Sequence, residues 1–211
     1  MLTAVTGVRG GIGATTLAVA LARRVGAVLV DADGLAGGVD VWLGAEERPG
    51  LRWSGLGLAG GALDPSALSA GLPRVDGFGV LAADRPDLPT AEGLAQVLDV
   101  LGDGQVVVDL PRRVDAVTAV VCARCAPLLL VVPADVGGAV AVHAWSEALE
   151  ARVALPPTTG LVVVGDALPT AALEAAAGLP VLAAVASAAE LGRVADGLAE
   201  AMGSLAAEVL A

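Results

Sequence analysis

Short, valine-rich apolar runs alternate along the chain with longer alanine-rich stretches whose apolar residues recur at helical spacing. That alternation is the signature of βαβ units built around a parallel sheet. It predicts strands near Leu2–Thr6, Ala27–Asp31, Gly79–Ala82, Gln105–Asp109, Leu128–Val132, Gly160–Val164 and Val181–Ala184. Helices are expected over Ala14–Val25, Pro65–Ala70, Ala91–Leu101, Asp115–Ala123, Gly138–Ala151, Pro169–Ala177 and Ala188–Leu210. The strand runs are apolar throughout and flanked by Gly, Pro or Asp, so both faces of the sheet should be covered. Glu46–Leu63, rich in glycine and carrying Arg48, Pro49, Arg52 and Trp53, reads as an irregular excursion rather than a linker. No repeat or compositional break divides the chain. The expected fold is one doubly wound α/β domain over residues 1–211, mainly parallel and flanked by helices, with its ligand site at the carboxyl ends of the strands.

Composition narrows the chemistry. Among 211 residues there are 12 basic and 23 acidic side chains, a net charge of −11, and all twelve basic residues are arginine. Schiff-base chemistry and a lysine on phosphate are therefore excluded. The acidic balance argues against nucleic acid and against an anionic membrane surface, both of which call for clustered cations. Arg124 and Pro127 interrupt the apolar stretch from Thr118 to Pro133, so no run is long enough to cross a bilayer. Without a basic leader or a disulfide framework, a cytoplasmic setting is expected.

The first strand leads into Gly7-Val8-Arg9-Gly10-Gly11-Ile12-Gly13-Ala14-Thr15-Thr16 and then a helix. Glycines bring backbone N–H groups close to an anion, and the helix N-terminus adds favourable partial charge. Two acidic motifs follow in order at strand ends, Asp31-Ala32-Asp33 and Val106-Val107-Val108-Asp109-Leu110-Pro111. Buried carboxylates at such positions are costly unless a cation or solvent compensates them.

The glycine segment resembles the deviant Walker A motif of the MinD/ParA family of P-loop ATPases, K-G-G-x-G-K-[ST]-T. The resemblance implies a nucleotide fold binding ATP and Mg²⁺. It places Arg9 at the signature lysine that reaches the partner subunit's nucleotide, and Ala14 at the ordinary P-loop lysine. Gly10, Gly11 and Gly13 would cradle phosphate, Thr15 would ligate Mg²⁺, and Thr16 would contact the α-phosphate. Asp31 and Asp109 would lie at the metal, and Asp33 would orient the attacking water. The adenine-reading Asn after the sixth strand is replaced by Val164-Gly165-Asp166, where Asp166 is a candidate acceptor for an adenine amine. Arg112-Arg113 falls where the family has nucleotide-sensitive switches. Such a pair contacts nucleotide or partner, or is a solvated loop.

Taken with Asp31-Ala32-Asp33 running on to Gly37-Gly38-Val39-Asp40, the motifs resemble the CpaE/TadZ branch, especially actinobacterial septum-site-determining (Ssd-like) proteins encoded near secretion and tad pilus genes. This implies a scaffold that positions pilus, secretion or septum machinery, dimerises around nucleotide, hydrolyses slowly for want of lysine, and reaches pole, septum or inner membrane face through protein partners. The branch often carries an upstream receiver-like domain, which this chain lacks. Two other functions stay open: a pseudo-ATPase interaction module, favoured by Ala14, and a Rossmann dinucleotide enzyme, suggested by Gly11-Ile12-Gly13 and Asp31.

The remaining features read as structure. Cys122 and Cys125 lack a second pair and are expected as small buried side chains. His143 stands alone. The last helix, with Leu191, Val194, Leu198, Met202, Leu205 and Val209 at helical spacing and Arg193 as its sole cation, should pack on the domain rather than on lipid.

Overall fold

A computed structural model of the chain describes residues 1–57, 63–84, 89–102 and 104–209, with side chains through residue 200. In chain order the elements are β1 (Leu2–Gly7), α1 (Ala14–Val25), β2 (Val28–Asp31), α2 (Val39–Trp42), α3 (Pro65–Gly71), β3 (Arg74–Val75), β4 (Phe78–Leu81), α4 (Ala91–Leu101) and β5 (Val106–Asp109). There follow α5 (Ala116–Cys122), β6 (Leu128–Pro133), α6 (Val136–Glu150), β7 (Thr159–Val164), α7 (Thr170–Ala177), β8 (Val181–Val185) and α8 (Leu191–Val209).

The strands form one sheet in the order β3-β4-β2-β5-β1-β6-β7-β8, parallel except for the β3–β4 pair. Strand β5 separates β1 from β2, whereas a Rossmann sheet keeps its first two strands adjacent. The dinucleotide-enzyme reading is overturned on that ground.

Alternation along each strand divides the core in two. Leu129, Val131, Val107 and Leu29 pack against Leu17, Leu21 and Ala22 of α1 and Leu191, Ala195 and Leu198 of α8. On the other face Leu128, Leu130, Val132 and Val108 meet Leu94 and Val97 of α4, Val121 of α5, Val142, Trp145 and Leu149 of α6, and Leu173 of α7. Each fully buried leucine contributes roughly 2–3 kcal/mol of transfer free energy. Aliphatic side chains thus build both layers with almost no aromatic help.

Helix starts explain why these stretches are helical where they are. Asp64, Thr90, Asp115 and Asp135 cap α3, α4, α5 and α6 by accepting backbone N–H groups. Helix α1 differs: it begins after Gly13, which sits in the left-handed region at φ 102°, and no side chain caps it. Its first-turn N–H groups are left for another acceptor.

The structure extends the sequence reading in the excursion and at the final helix. The excursion after Glu46 carries a short 3₁₀ turn, Trp53–Gly55, with Trp53 buried and its indole N–H donating to Asp31 O at 2.8 Å. The final helix begins as a 3₁₀ turn, Ala188–Glu190, before α8; Leu191 and Leu198 pack inward as expected. The contacts expected of Met202, Leu205 and Val209, and residues 58–62, lie outside the described residues. Cys122 and Cys125 are both buried, and the hydrogen bond that the Cys125 thiol donates to Cys122, together with burial, pushes that thiol well above its ordinary range. His143 is exposed and stands 3.6 Å from Glu147.

Candidate functional site

The central position of β1 places the β1–α1 loop between the carboxyl ends of β5 and β6. There the loop forms one wall of a cavity of about 440 Å³, lined also by Asp31, Asp33, Asp109 and Arg112. Arg9, Gly10, Gly11, Gly13, Thr15 and Thr16 all line it, so the structure brings together every predicted site residue except Asp166. Asp166 is exposed after β7 and outside the cavity lining.

The loop's shape depends on specific glycines. A Cβ at Gly13 would stand 2.4 Å from Leu191 Cδ1 and 3.2 Å from Ala188 Cβ, so the start of the last helix lies directly beneath the loop. A Cβ at Gly10 or Gly11 would meet nothing within 4 Å. No protein contact therefore calls for glycine at these two positions, whereas the left-handed φ of 73° at Gly11 does.

Register creates the acidic side. Asp31 and Asp109 are direct partners in the β2–β5 pairing, at the ends of adjacent strands. Both are buried. Burial pushes the Asp109 carboxyl up to about 7, against a lowering hydrogen bond from Thr15 and with repulsion from Asp31 and Asp33 adding to the rise. Burial likewise lifts Asp31 to about 6, although three backbone N–H groups oppose the rise.

Those three hydrogen bonds change the part Asp31 can play. Asp33 N donates to its Oδ1 at 3.0 Å, while Val39 N and Ala83 N donate to Oδ2 at 2.9 and 3.2 Å. Of roughly four acceptor sites on a carboxylate, three are occupied. Asp31 thus ties the β2–α2 loop and the end of β4 together. Among the described residues no three His, Cys, Asp or Glu side chains converge as a metal cage. Thr15 and Asp109 set two hard oxygens side by side, joined by their hydrogen bond. Asp33 spends Oδ1 on Leu35 N at 3.1 Å and is only partly buried.

Arg9 pairs with Asp135, with Nη2 to Oδ2 at 2.9 Å, and both side chains are substantially exposed. Asp135 also caps α6 through Gly138 N at 2.7 Å, and that bond, with Arg9, holds its carboxyl below the usual range. Sequence reasoning missed Asp135, although an Asp directly ahead of a helix is a capping signal. Asp135→Ala lowers the melting temperature by a few degrees, whereas Asp135→Asn, which can still cap, retains most of it; equal losses in thermal melts would show that charge, not capping, dominates.

A second missed feature ties the segment after α2 to Asp40. Arg52 Nε pairs with Asp40 Oδ2 at 2.6 Å, and both side chains are almost out of solvent, at 13% and 10% exposure. Its guanidinium also donates to Ala45 O at 3.1 Å and to Glu46 O, Arg48 O and Gly50 O at 3.3 Å. The available signal was Arg52 beside Trp53 in a glycine-rich stretch, with Asp40 a short way upstream.

No protein-family model matches the chain. Two uncharacterized proteins of Mycobacterium tuberculosis, MT3760 and Rv3660c, are each 41% identical to it over 189 residues, covering 86% of this chain and 53% of the relative. The chain spans about half the length of the curated relatives it matches. Among solved structures it is similar to a ParA family ATPase from Chlorobium tepidum, with a TM-score of 0.75, 14% identity, and coverage of 94% of this chain and 91% of that one. It is also similar to the septum site-determining protein MinD of Pyrococcus horikoshii, complexed with Mg-ADP, at a TM-score of 0.70 and 16% identity over 98% of both chains. At such identities the likeness shows the fold, which is that of the MinD and ParA P-loop ATPases.

Proposed function

We propose that the protein binds a nucleoside triphosphate, ATP by the resemblance of its loop, together with Mg²⁺, and acts as a nucleotide-gated scaffold with little hydrolysis. The observation that carries this reading is the uncapped start of α1 at a glycine loop, opening on the same cavity as Thr15 and Asp109. The donor set fits the group: backbone N–H groups suit phosphate oxygens, and a hydroxyl beside a carboxylate suits a small hard cation that keeps several waters. Bound Mg²⁺ would neutralise charge on the β- and γ-phosphates.

The chain's own residues then divide the work. Thr15 and Asp109 hold the cation, Gly10, Gly11 and Gly13 admit the phosphates to the loop N–H groups, and Thr16 adds a hydroxyl. Asp33 retains a carboxylate oxygen able to accept a proton from a water. Ala14 offers the phosphates no charge, so turnover is slow. Leu35, Val41 and Trp42, the last of them lining the cavity, and Val136 and Val140 on α6 are exposed large apolar residues, which favour contact with protein. A second copy of the chain, or a component of pilus, secretion or division machinery, is the partner we favour. Recruitment would then be cytoplasmic and through such partners; among the described residues no helix is long and apolar enough to cross a membrane.

A second reading, an interaction module without nucleotide, is favoured by Ala14 and by the commitment of Arg9 to Asp135. Thermal melting separates the two. A nucleotide present at 100 times its Kd stabilises the native state by about 2.7 kcal/mol. Mg·ATP is expected to raise the melting temperature more than GTP or NAD, and Thr15→Ala to remove the Mg²⁺-dependent part. Absence of any shift with millimolar nucleotide would establish the interaction module instead.

A further inference from the structure

The cavity holds phosphate-binding backbone and three carboxylates, yet the position after Gly13 is Ala14, so the positive charge that a phosphate chain needs has to come from elsewhere. Two arginines line the cavity, Arg9 and Arg112. Arg9 is committed to Asp135. Arg112 has no carboxylate partner among the described residues, whereas its neighbour Arg113 turns to Asp115 at 2.6 Å.

The backbone that presents Arg112 is fixed on both sides. The Thr6 hydroxyl donates to Pro111 O at 3.1 Å, and the Trp145 indole N–H donates to Arg112 O at 3.0 Å. Thr6 belongs to the strand that feeds the glycine loop, and residue 112 lies three positions beyond Asp109. The cation is therefore presented from the same two strands as the loop and the carboxylate. A guanidinium held on an ordered backbone loses less freedom when it closes on an anion, and its planar donor fork matches a phosphate.

Resting on the nucleotide-binding reading above, we infer that Arg112 is the cation that grips the phosphate chain within its own subunit, standing in for the missing loop lysine, and that Arg113 is a structural neighbour. The ligand class is a nucleoside polyphosphate, recognised through its phosphates. Removing the side chain leaves the Trp145 hydrogen bond intact because that bond ends on the backbone carbonyl.

The test measures affinity for Mg·ATP and for inorganic tripolyphosphate by calorimetry, with ligand-free melting as the control for folding. Arg112→Ala is expected to weaken both ligands by about tenfold or more, as for loss of a charge-assisted hydrogen bond. Arg112→Lys should restore much of that, and Arg113→Ala should change neither ligand by more than about twofold. Losses that are the same at low and high protein concentration support action within one subunit. Wild-type affinity in Arg112→Ala, an equal loss in Arg113→Ala, or a loss that appears only at concentrations where the protein self-associates overturns the inference while leaving nucleotide binding in place. Failure of the wild-type protein to bind either ligand overturns both, and only that outcome does so.

Discussion

Asp109→Asn makes the ligand-free protein more stable at pH 8, by about 4 kcal/mol at the upper limit. The cause is the folded-state rise of this carboxyl to about 7 from 3.8, driven chiefly by burial. Because the folded protein holds the proton more tightly than the unfolded chain, folding is favoured below the ordinary carboxylate value. Stability is lost as pH rises through the window between about 4 and 7, and the full penalty is in place above it. An asparagine never ionises and escapes the penalty. Urea unfolding should therefore show a gap between variant and wild type that is largest at pH 8 and shrinks to less than about 1 kcal/mol at pH 4. A gap that does not change with pH, or an asparagine variant less stable at pH 8, would sink this account. If the protein binds Mg·ATP as proposed, the same substitution should abolish that stabilisation, since a bound cation would lose its carboxylate, so ligand-free stability and ligand response would move in opposite directions.

Arg52→Ala is the most damaging single change expected outside the two core layers. It leaves Asp40 as a nearly buried carboxylate without its partner and strips a donor from four carbonyls between Ala45 and Gly50. Breaking one side of a buried pair costs about 3–5 kcal/mol, most of it from the stranded charge. For a chain of this length each kcal/mol moves the melting temperature by roughly 2–4 °C, so a drop near 10 °C is expected. The double variant Arg52→Met with Asp40→Leu should recover a large share of it, because no charge is then left unpaired. If Arg52→Ala falls by less than about 1 kcal/mol, water reaches Asp40 more freely than its exposure indicates.

Period and punctuation made most of the fold legible. Apolar runs without alternation marked the strands covered on both faces, and Gly13 and Gly26 bracketed α1 as read from the chain. The two-residue β3 and the four-residue α2 escaped, because each spans barely one cycle of the pattern that reveals longer elements of its kind. The site divided along the same line. Loop, hydroxyl and carboxylates were visible because they are contiguous motifs. What Asp31 does was invisible, because its donors lie 2, 8 and 52 residues away and depend on where β4 ends. The commitment of Arg9 was hidden for the same reason, its partner being 126 residues along.

Gly13 and Leu191 carry a last consequence, for how this sequence can vary. The space that a side chain at position 13 would need is already filled by a leucine from the far end of the chain. The C-terminal helix is thus the mould against which the loop is cast, and the two positions are not free to drift separately. Leu191 can shrink only by leaving a hollow under the loop, and residue 13 cannot grow while Leu191 stays. In any set of related sequences, a departure from glycine at the first position should therefore arrive together with a smaller residue at the second and a reshaped loop between them.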